Sequence, residues 1–162
     1  MTSRPPPVTS AGLLLYRAAP DGLALLLGHP GGPFWVRKDD GAWSIPKGEY
    51  GPDEEPAAAA IREFTEELGA PPPPGPLLPL GSVRLRTGKV ITAFARAGDF
   101  DADRITPGTF DLEWPPRSGR LRSFPEIDRV AWFDPVTARH KLTAAQVPFV
   151  DRLLAALGSA TG

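Results

Sequence analysis

Glu63, Glu66 and Glu67 stand close together in GEYGPDEEPAAAAIREFTEELGA, residues 48–70, and carboxylates are the side chains that bind a hard cation. On a helix, spacings of three and four residues bring Glu63, Glu66 and Glu67 together, at a cost of roughly 0.2–0.5 kcal/mol per like-charged pair. The C-terminal end of the helix dipole adds to that cost. The residues four beyond Glu66 and Glu67 are Ala70 and Pro71, so no cation occupies the favoured position. Arg62 is near, but it precedes Glu66, the weaker order for such a pair. The glutamates form either a solvated acidic face or a site completed by a divalent cation. Convergent carboxylates with room for water are what Mg²⁺ requires, and such sites usually serve phosphate chemistry.

The helix that must carry these groups has clear punctuation. Pro52, Asp53 and Pro56 suit a start, the alanines at 57–60 favour propagation, and Gly69 before a proline run is a stop. At 100° per residue, Ala57, Ile61, Phe64 and Leu68 are expected to form the anchoring face, with Glu63, Glu66 and Glu67 opposite. Upstream, AGLLLY and LALLLG flank the turn Pro20-Asp21-Gly22 and predict a strand pair. Downstream, GSVRLRTGKVITAFARA predicts a second pair turning at Thr87-Gly88. RVAWFD predicts another strand, and Val147, Val150, Leu154 and Leu157 mark a final amphipathic helix. HPGGPFWVRKDDGAWSIPKG, and the polar segment from Gly98 to Ser123, are expected to be loops. Strands mixed with two helices place the fold in the α/β or α+β class.

Composition narrows the chemistry. The chain has 162 residues, 41% hydrophobic, enough for one domain with a core. Eighteen basic residues against nineteen acidic ones leave a net charge of −1, so neither a nucleic-acid partner nor an anionic membrane is indicated. Without cysteine there is no thiolate nucleophile, disulfide or Cys-based zinc site, and His29 and His140 are far apart in sequence. The start, MTSRPPPVTS, has prolines where a signal peptide needs an apolar core, so a cytoplasmic location is expected.

Gly48, then Glu54 after five residues, then Arg62-Glu63-Phe64-Thr65-Glu66-Glu67-Leu68-Gly69-Ala70 after seven more, matches the signature of the Nudix hydrolases at every defined position. The chain thus resembles that family. The resemblance implies an α/β/α sandwich around a mixed β-sheet, with residues 11–158 as a single Nudix domain between a flexible Pro-rich tail (1–10) and a flexible C-terminus (159–162). It also implies Mg²⁺-dependent hydrolysis, with Mn²⁺ as a substitute, of a nucleoside diphosphate linked to another group. Carried onto this chain, Glu63 and Glu67 correspond to the principal metal ligands and Glu66 to a further ligand or a member of the acid network. Arg62 corresponds to the residue that orients the glutamates, Glu54 to its partner, and the backbone near Lys47 or Gly48 to a neutral ligand. Gly48 also has a local explanation as a sharp turn from strand to loop.

WSIPKGEY resembles the lead-in to the motif in diadenosine polyphosphate hydrolases. Glu126, six residues before Trp132, resembles an additional acidic ligand or base of those enzymes, or is an exposed loop acid. Dinucleoside polyphosphates are therefore the expected small-molecule substrates. Nucleoside triphosphates, RNA 5′ ends and inositol pyrophosphates are alternatives, and a non-catalytic nucleotide-sensing module is an alternative of another class. Lys38, Lys47 and Lys89 are candidates for phosphate contacts or are surface cations. Trp35 and Trp114, in loops, are candidates to stack on a base, whereas Trp43 and Trp132 beside strands are expected in the core. Arg117 and Arg120, with Arg122, either reach distal phosphates or form a basic surface loop.

Overall fold

The computed structural model describes residues 7–160. Strands β1 (Thr9–Ala19) and β2 (Gly22–Pro30) pair antiparallel as the two apolar runs predict, turning at Gly22, where φ is 134°. Both runs are continuously apolar because both faces of these strands are covered. Leu13, Leu15 and Leu26 point into one core, Leu14, Leu25 and Leu27 into another, and all are fully buried. A short strand, β3 (Lys47–Glu49), joins the free side of the β1 N-terminus, with Gly12 opposite Lys47 and Ala11 opposite Gly48.

Helix α1 (Pro56–Leu68) begins on Pro56, whose missing N–H costs nothing there, and ends at Gly69 in the left-handed conformation (φ 80°). Its buried face is not the expected one. Ala59, Ala60, Phe64 and Leu68 are fully buried, Ile61 is only half-buried, and Glu63 lies at 8% exposure among the buried residues. The alanines let the helix lie close to the sheet, and this turns Glu63 and Glu67 inward instead of opposite the core.

Strands β4 (Leu78–Arg84) and β5 (Val90–Ala97) form the second predicted pair, and β5 runs parallel to β1. Strands β6 (Thr109–Glu113) and β7 (Leu121–Pro125) form a separate two-stranded sheet. This hairpin corrects the expectation of a loop from Gly98 to Ser123. Strand β6, Thr109-Phe110-Asp111-Leu112-Glu113, alternates polar and apolar residues but over only five positions, and β7 does not alternate. Strand β8 (Ile127–Phe133) pairs with β2, completing the order β4-β5-β1-β2-β8 with β3 beside β1.

Helix α2 (Pro135–Lys141), unanticipated from its lack of an apolar stripe, starts where Asp134 accepts a hydrogen bond from the Thr137 N–H at 3.2 Å. A 3₁₀ turn (Ala144–Gln146) leads into α3 (Val147–Ala160), which buries Phe149, Val150 and Leu153 against the sheet face opposite α1. The result is the expected α/β/α sandwich around a mixed sheet. Strand β1 begins at Thr9, inside the segment expected as tail, and α3 passes the expected domain end; residues 1–6 and 161–162 of the expected flexible ends lie outside the described residues. No described helix is long and apolar enough to cross a membrane.

Phe64 is fully buried, with its ring 5.3 Å from that of Phe100 at right angles. Phe64→Ala should cost about 3–5 kcal/mol, read as a lower urea midpoint at unchanged slope. A loss below ~1 kcal/mol would show that α1 is not held by this contact.

Candidate active site

The acidic site forms where α1 crosses β3. A Cβ built on Gly48 would lie 1.9 Å from Glu63 Oε2, so only glycine lets that carboxylate rest against the strand. The sharp turn expected at Gly48 is not there: the residue lies within β3, paired with Ala11, and is not among the residues with positive φ. One helical turn on, Glu67 Oε2 accepts a hydrogen bond from the Lys47 N–H at 3.1 Å.

Arg62 organises the outer half of the cluster. Its Nε and Nη2 donate to the two oxygens of Glu54 at 2.7 and 2.8 Å, a bidentate pair. Its Nη1 donates to Glu63 Oε1 at 2.7 Å and to both oxygens of the exposed Glu66 at 3.2 Å. The hydrogen bonds to Arg62 hold the Glu54 carboxyl below the usual carboxylate range, and the same contacts, Glu54 first, raise the arginine's affinity for its proton.

The inner carboxyls behave oppositely. Removal from water is the main cause that raises Glu63, opposed by Arg62 and reinforced by the charges of Glu66 and Glu126. Removal from water also pushes Glu67 up to about 8, against the Lys47 N–H and with help from the charges of Glu126 and Glu63. Glu126 follows the hairpin, with its N–H donating to the Gly108 carbonyl (2.8 Å) and its carbonyl accepting from the Gly31 N–H (3.0 Å). With Glu67 and Lys47 it lines a cleft of about 130 Å³ floored by Gly28 and Ile127.

Beside this cleft, sharing Pro30, Ser44 and Lys47 with it, lies an apolar pocket of about 290 Å³. Trp35, Ala42, Leu85 and Ile91 supply its walls and Gln146 a polar group. The Lys38 ammonium sits 4.9 Å from the Trp35 ring centroid. Trp114, by contrast, meets the Phe34 ring edge-on at 5.4 Å, next to the hairpin. Arg117 and Arg120 are exposed at the hairpin tip and line neither cavity. Lys89 is exposed in the β4–β5 turn, 3.8 Å from the Glu49 carboxylate. Trp43 is in the core, whereas Trp132 is half-buried under the Arg17 guanidinium. Lys47, Glu67 and Glu126, distant in sequence, thus come together at the cleft, while Arg117 and Arg120 at the hairpin tip do not line it.

Several supporting residues carry weak sequence signals. His29 is fully buried, with Nδ1 3.0 Å from an Asp128 carboxylate oxygen and Nε2 2.6 Å from the Lys38 carbonyl, tying the 31–43 loop to β2. Gln146, 2% exposed, is a lone amide in an apolar stretch, and that contrast is its only signal.

The donors suit a hard divalent cation: every one is an oxygen, and the carboxyls raise one another's proton affinity in a way positive charge would relieve. Among the described residues no three acidic or histidine side chains already converge as a metal cage, because Glu63 and Glu66 turn toward Arg62 and Glu67 toward the Lys47 N–H.

The raised Glu67 carboxyl has a signed consequence. Between its ordinary 4.5 and about 8, the folded chain holds a proton that the unfolded chain has lost, so the stability from this group is full below 4.5 and lost as pH rises through 8. A cation binds the ionised form, so Mn²⁺ titrated calorimetrically near pH 7 in two buffers of different ionisation enthalpy should release protons, and affinity should rise toward pH 8. Binding without proton release would contradict this assignment of Glu67.

The chain matches the NUDIX domain over residues 6–153. No curated protein sequence matches it significantly. Its structure is similar to that of the NUDIX domain of Shewanella oneidensis NrtR complexed with ADP ribose (15% identity, 95% of this chain and 90% of that one, TM-score 0.65). It is also similar to a C. elegans Ap4A hydrolase in a binary complex (20% identity, 94% and 98%, TM-score 0.65). A third similar structure is a mutT/nudix family protein from Listeria innocua (17% identity, 98% of both chains, TM-score 0.64). At these identities the structures establish a common fold, while the sequence match spans nearly the whole chain: this protein belongs to the NUDIX domain family.

Proposed function

We propose that this NUDIX-domain protein is a Mg²⁺-dependent pyrophosphohydrolase, with Mn²⁺ as a substitute, whose preferred substrates are dinucleoside polyphosphates. The observation that carries the chemistry is the inner carboxyl pair, Glu63 against Gly48 and Glu67 on the Lys47 N–H, held at a cleft that Glu126 also lines. Glu63, Glu66, Glu67 and Glu126, with a backbone carbonyl at Lys47 or Gly48, would hold the ion. The chemistry an ion supplies there is neutralisation of charge on the phosphates and a lowered pKa for bound water.

The chain's own groups do the rest. Arg62, anchored by Glu54, positions Glu63 and Glu66. Glu63, Glu67 and Glu126 are the carboxyls that can take the proton of an attacking water. Lys47 faces both cavities, where its charge suits the phosphates between a base and the scissile bond. Trp35, carrying Lys38, suits stacking on a base in the apolar pocket. Lys89, Trp114, Arg117 and Arg120 would meet the farther part of a long substrate. A second reading, a nucleoside triphosphate pyrophosphohydrolase, is supported by the apolar pocket of about 290 Å³ adjoining the cleft, whose walls suit a base beside the phosphates.

Glu67→Gln should lower turnover by roughly 10²–10⁴ while the protein stays folded by circular dichroism. Near-normal turnover would refute the assignment. A substrate panel separates the two readings. Diadenosine tetraphosphate should be cut asymmetrically to ATP and AMP, with kcat/KM well above that for ATP or dGTP. Arg117→Ala with Arg120→Ala should penalise the tetraphosphate more than the triphosphate, because remote contacts position the reacting phosphorus. Preference for a triphosphate, releasing pyrophosphate, would establish the second reading instead.

A further inference from the structure

The segment that brings Lys47 and Gly48 to the cleft is held by its backbone to three elements. Ser44 exchanges hydrogen bonds with Gly28 of β2 (2.8 and 2.9 Å), the Pro46 carbonyl accepts from the Leu13 N–H of β1 (3.1 Å), and Trp43 bonds to Lys141 and Thr143 after α2 (2.9 Å each). The Ile45 N–H, pointing into the core, is met instead by a side chain: Gln146 Oε1 accepts from it at 3.0 Å. Gln146 Nε2 donates to Ser44 Oγ at 2.9 Å, and Ser44 Oγ donates to the Ile45 carbonyl at 2.7 Å.

These three bonds close a ring around Ile45, and each member both needs and satisfies the next. A buried amide of this kind is costly to leave half-paired, so the ring fixes the orientation of the Ser44–Ile45 backbone. Two residues on, the Lys47 N–H is bonded to Glu67. Gln146 and Ser44 also border the apolar pocket, and Ser44 borders the acidic cleft as well. The ring therefore lies between the two cavities, fastened at one end to the turn that begins α3.

We infer that Gln146 is a positioning residue for hydrolysis: through Ser44 and Ile45 it sets the height of the Lys47 amide against Glu67, so that filling the apolar pocket and aligning the carboxyl are one mechanical event. The inference rests on the proposed roles of Lys47 and Glu67. It assigns to Gln146 no direct contact with the reacting phosphate.

The test uses the full chain. Gln146→Met keeps the length and removes both hydrogen bonds. Amide hydrogen exchange, followed by NMR on metal-free protein, should show the Lys47 amide exchanging at least ~10-fold faster, with Leu13–Leu15 unchanged. With the best substrate of the panel, kcat should fall at least ~10-fold while KM stays within about 2-fold. Ser44→Ala, which leaves the Ile45 bond in place, should shift both readouts in the same direction by less, and it decides the question alone if Gln146→Met does not fold. Unchanged Lys47 exchange overturns the inference. So does a raised KM at constant kcat, which would make Gln146 a substrate contact, or uniform loosening of all amides at unchanged kcat, which would make it a packing residue. If wild type turns over no substrate while Lys47 exchange responds as expected, the proposed function fails and the mechanical link stands.

Discussion

The close approach of α1 to the sheet is the constraint on which the site depends. It requires small residues on both sides: Ala59 and Ala60 on the helix, fully buried, and Gly48 beneath Glu63. A bulkier residue at either alanine would lift the helix and its carboxyls with it, whereas a side chain at position 48 would displace the Glu63 carboxylate. Tight packing of Phe64 and Leu68 supplies the hydrophobic force that keeps the surfaces together. Core and active site are thus one construction, in which apolar burial does the positioning that electrostatics alone would oppose.

The charge arrangement follows from that geometry. A helix face bearing three glutamates is repulsive, and this chain divides the problem in two. Outer carboxylates share the Arg62 guanidinium, whose planar fork is filled by Glu54. Of the inner carboxyls, Glu63 shares a single Arg62 contact and Glu67 has none, and removal from water raises the proton affinity of both. Arginine contacts dominate one part of the cluster and burial the other.

Much of this was legible in the residues. The punctuation of α1 and the strand pairs rest on local chemistry, so the α/β or α+β class and the helix that carries the glutamates followed directly, while the α/β/α sandwich was implied by the resemblance that the complete acidic motif carries. The rotation of α1 did not, because helical periodicity ranks Ile61 above Ala59 by hydrophobicity, whereas the sheet selects alanine for its lack of bulk. The hairpin of β6 and β7 escaped for another reason: with little burial, its order comes from backbone pairing and turn geometry at Arg117 (φ 63°) and Gly119 (φ 72°). Gln146 is long-range by nature, since its partners lie about a hundred residues away, at Ser44 and Ile45. No local pattern encodes such a meeting.

The β6–β7 hairpin shares no strand ladder with the main sheet. It is attached at its base, where Gly31 lies so close to the Pro125 carbonyl that a Cβ would fall 1.9 Å from that oxygen, and where the Glu126 backbone is fixed on both sides. Beyond that base it meets the 31–43 loop through rings, Trp114 against Phe34, and not through the register that sets the carboxyls. Insertions, deletions or exchanged side chains at the tip therefore leave the chemical apparatus in place. In lineages of such chains the tip can diverge at the pace of a surface loop while its root is held still, which gives selection a region where preference can drift without loss of the reaction.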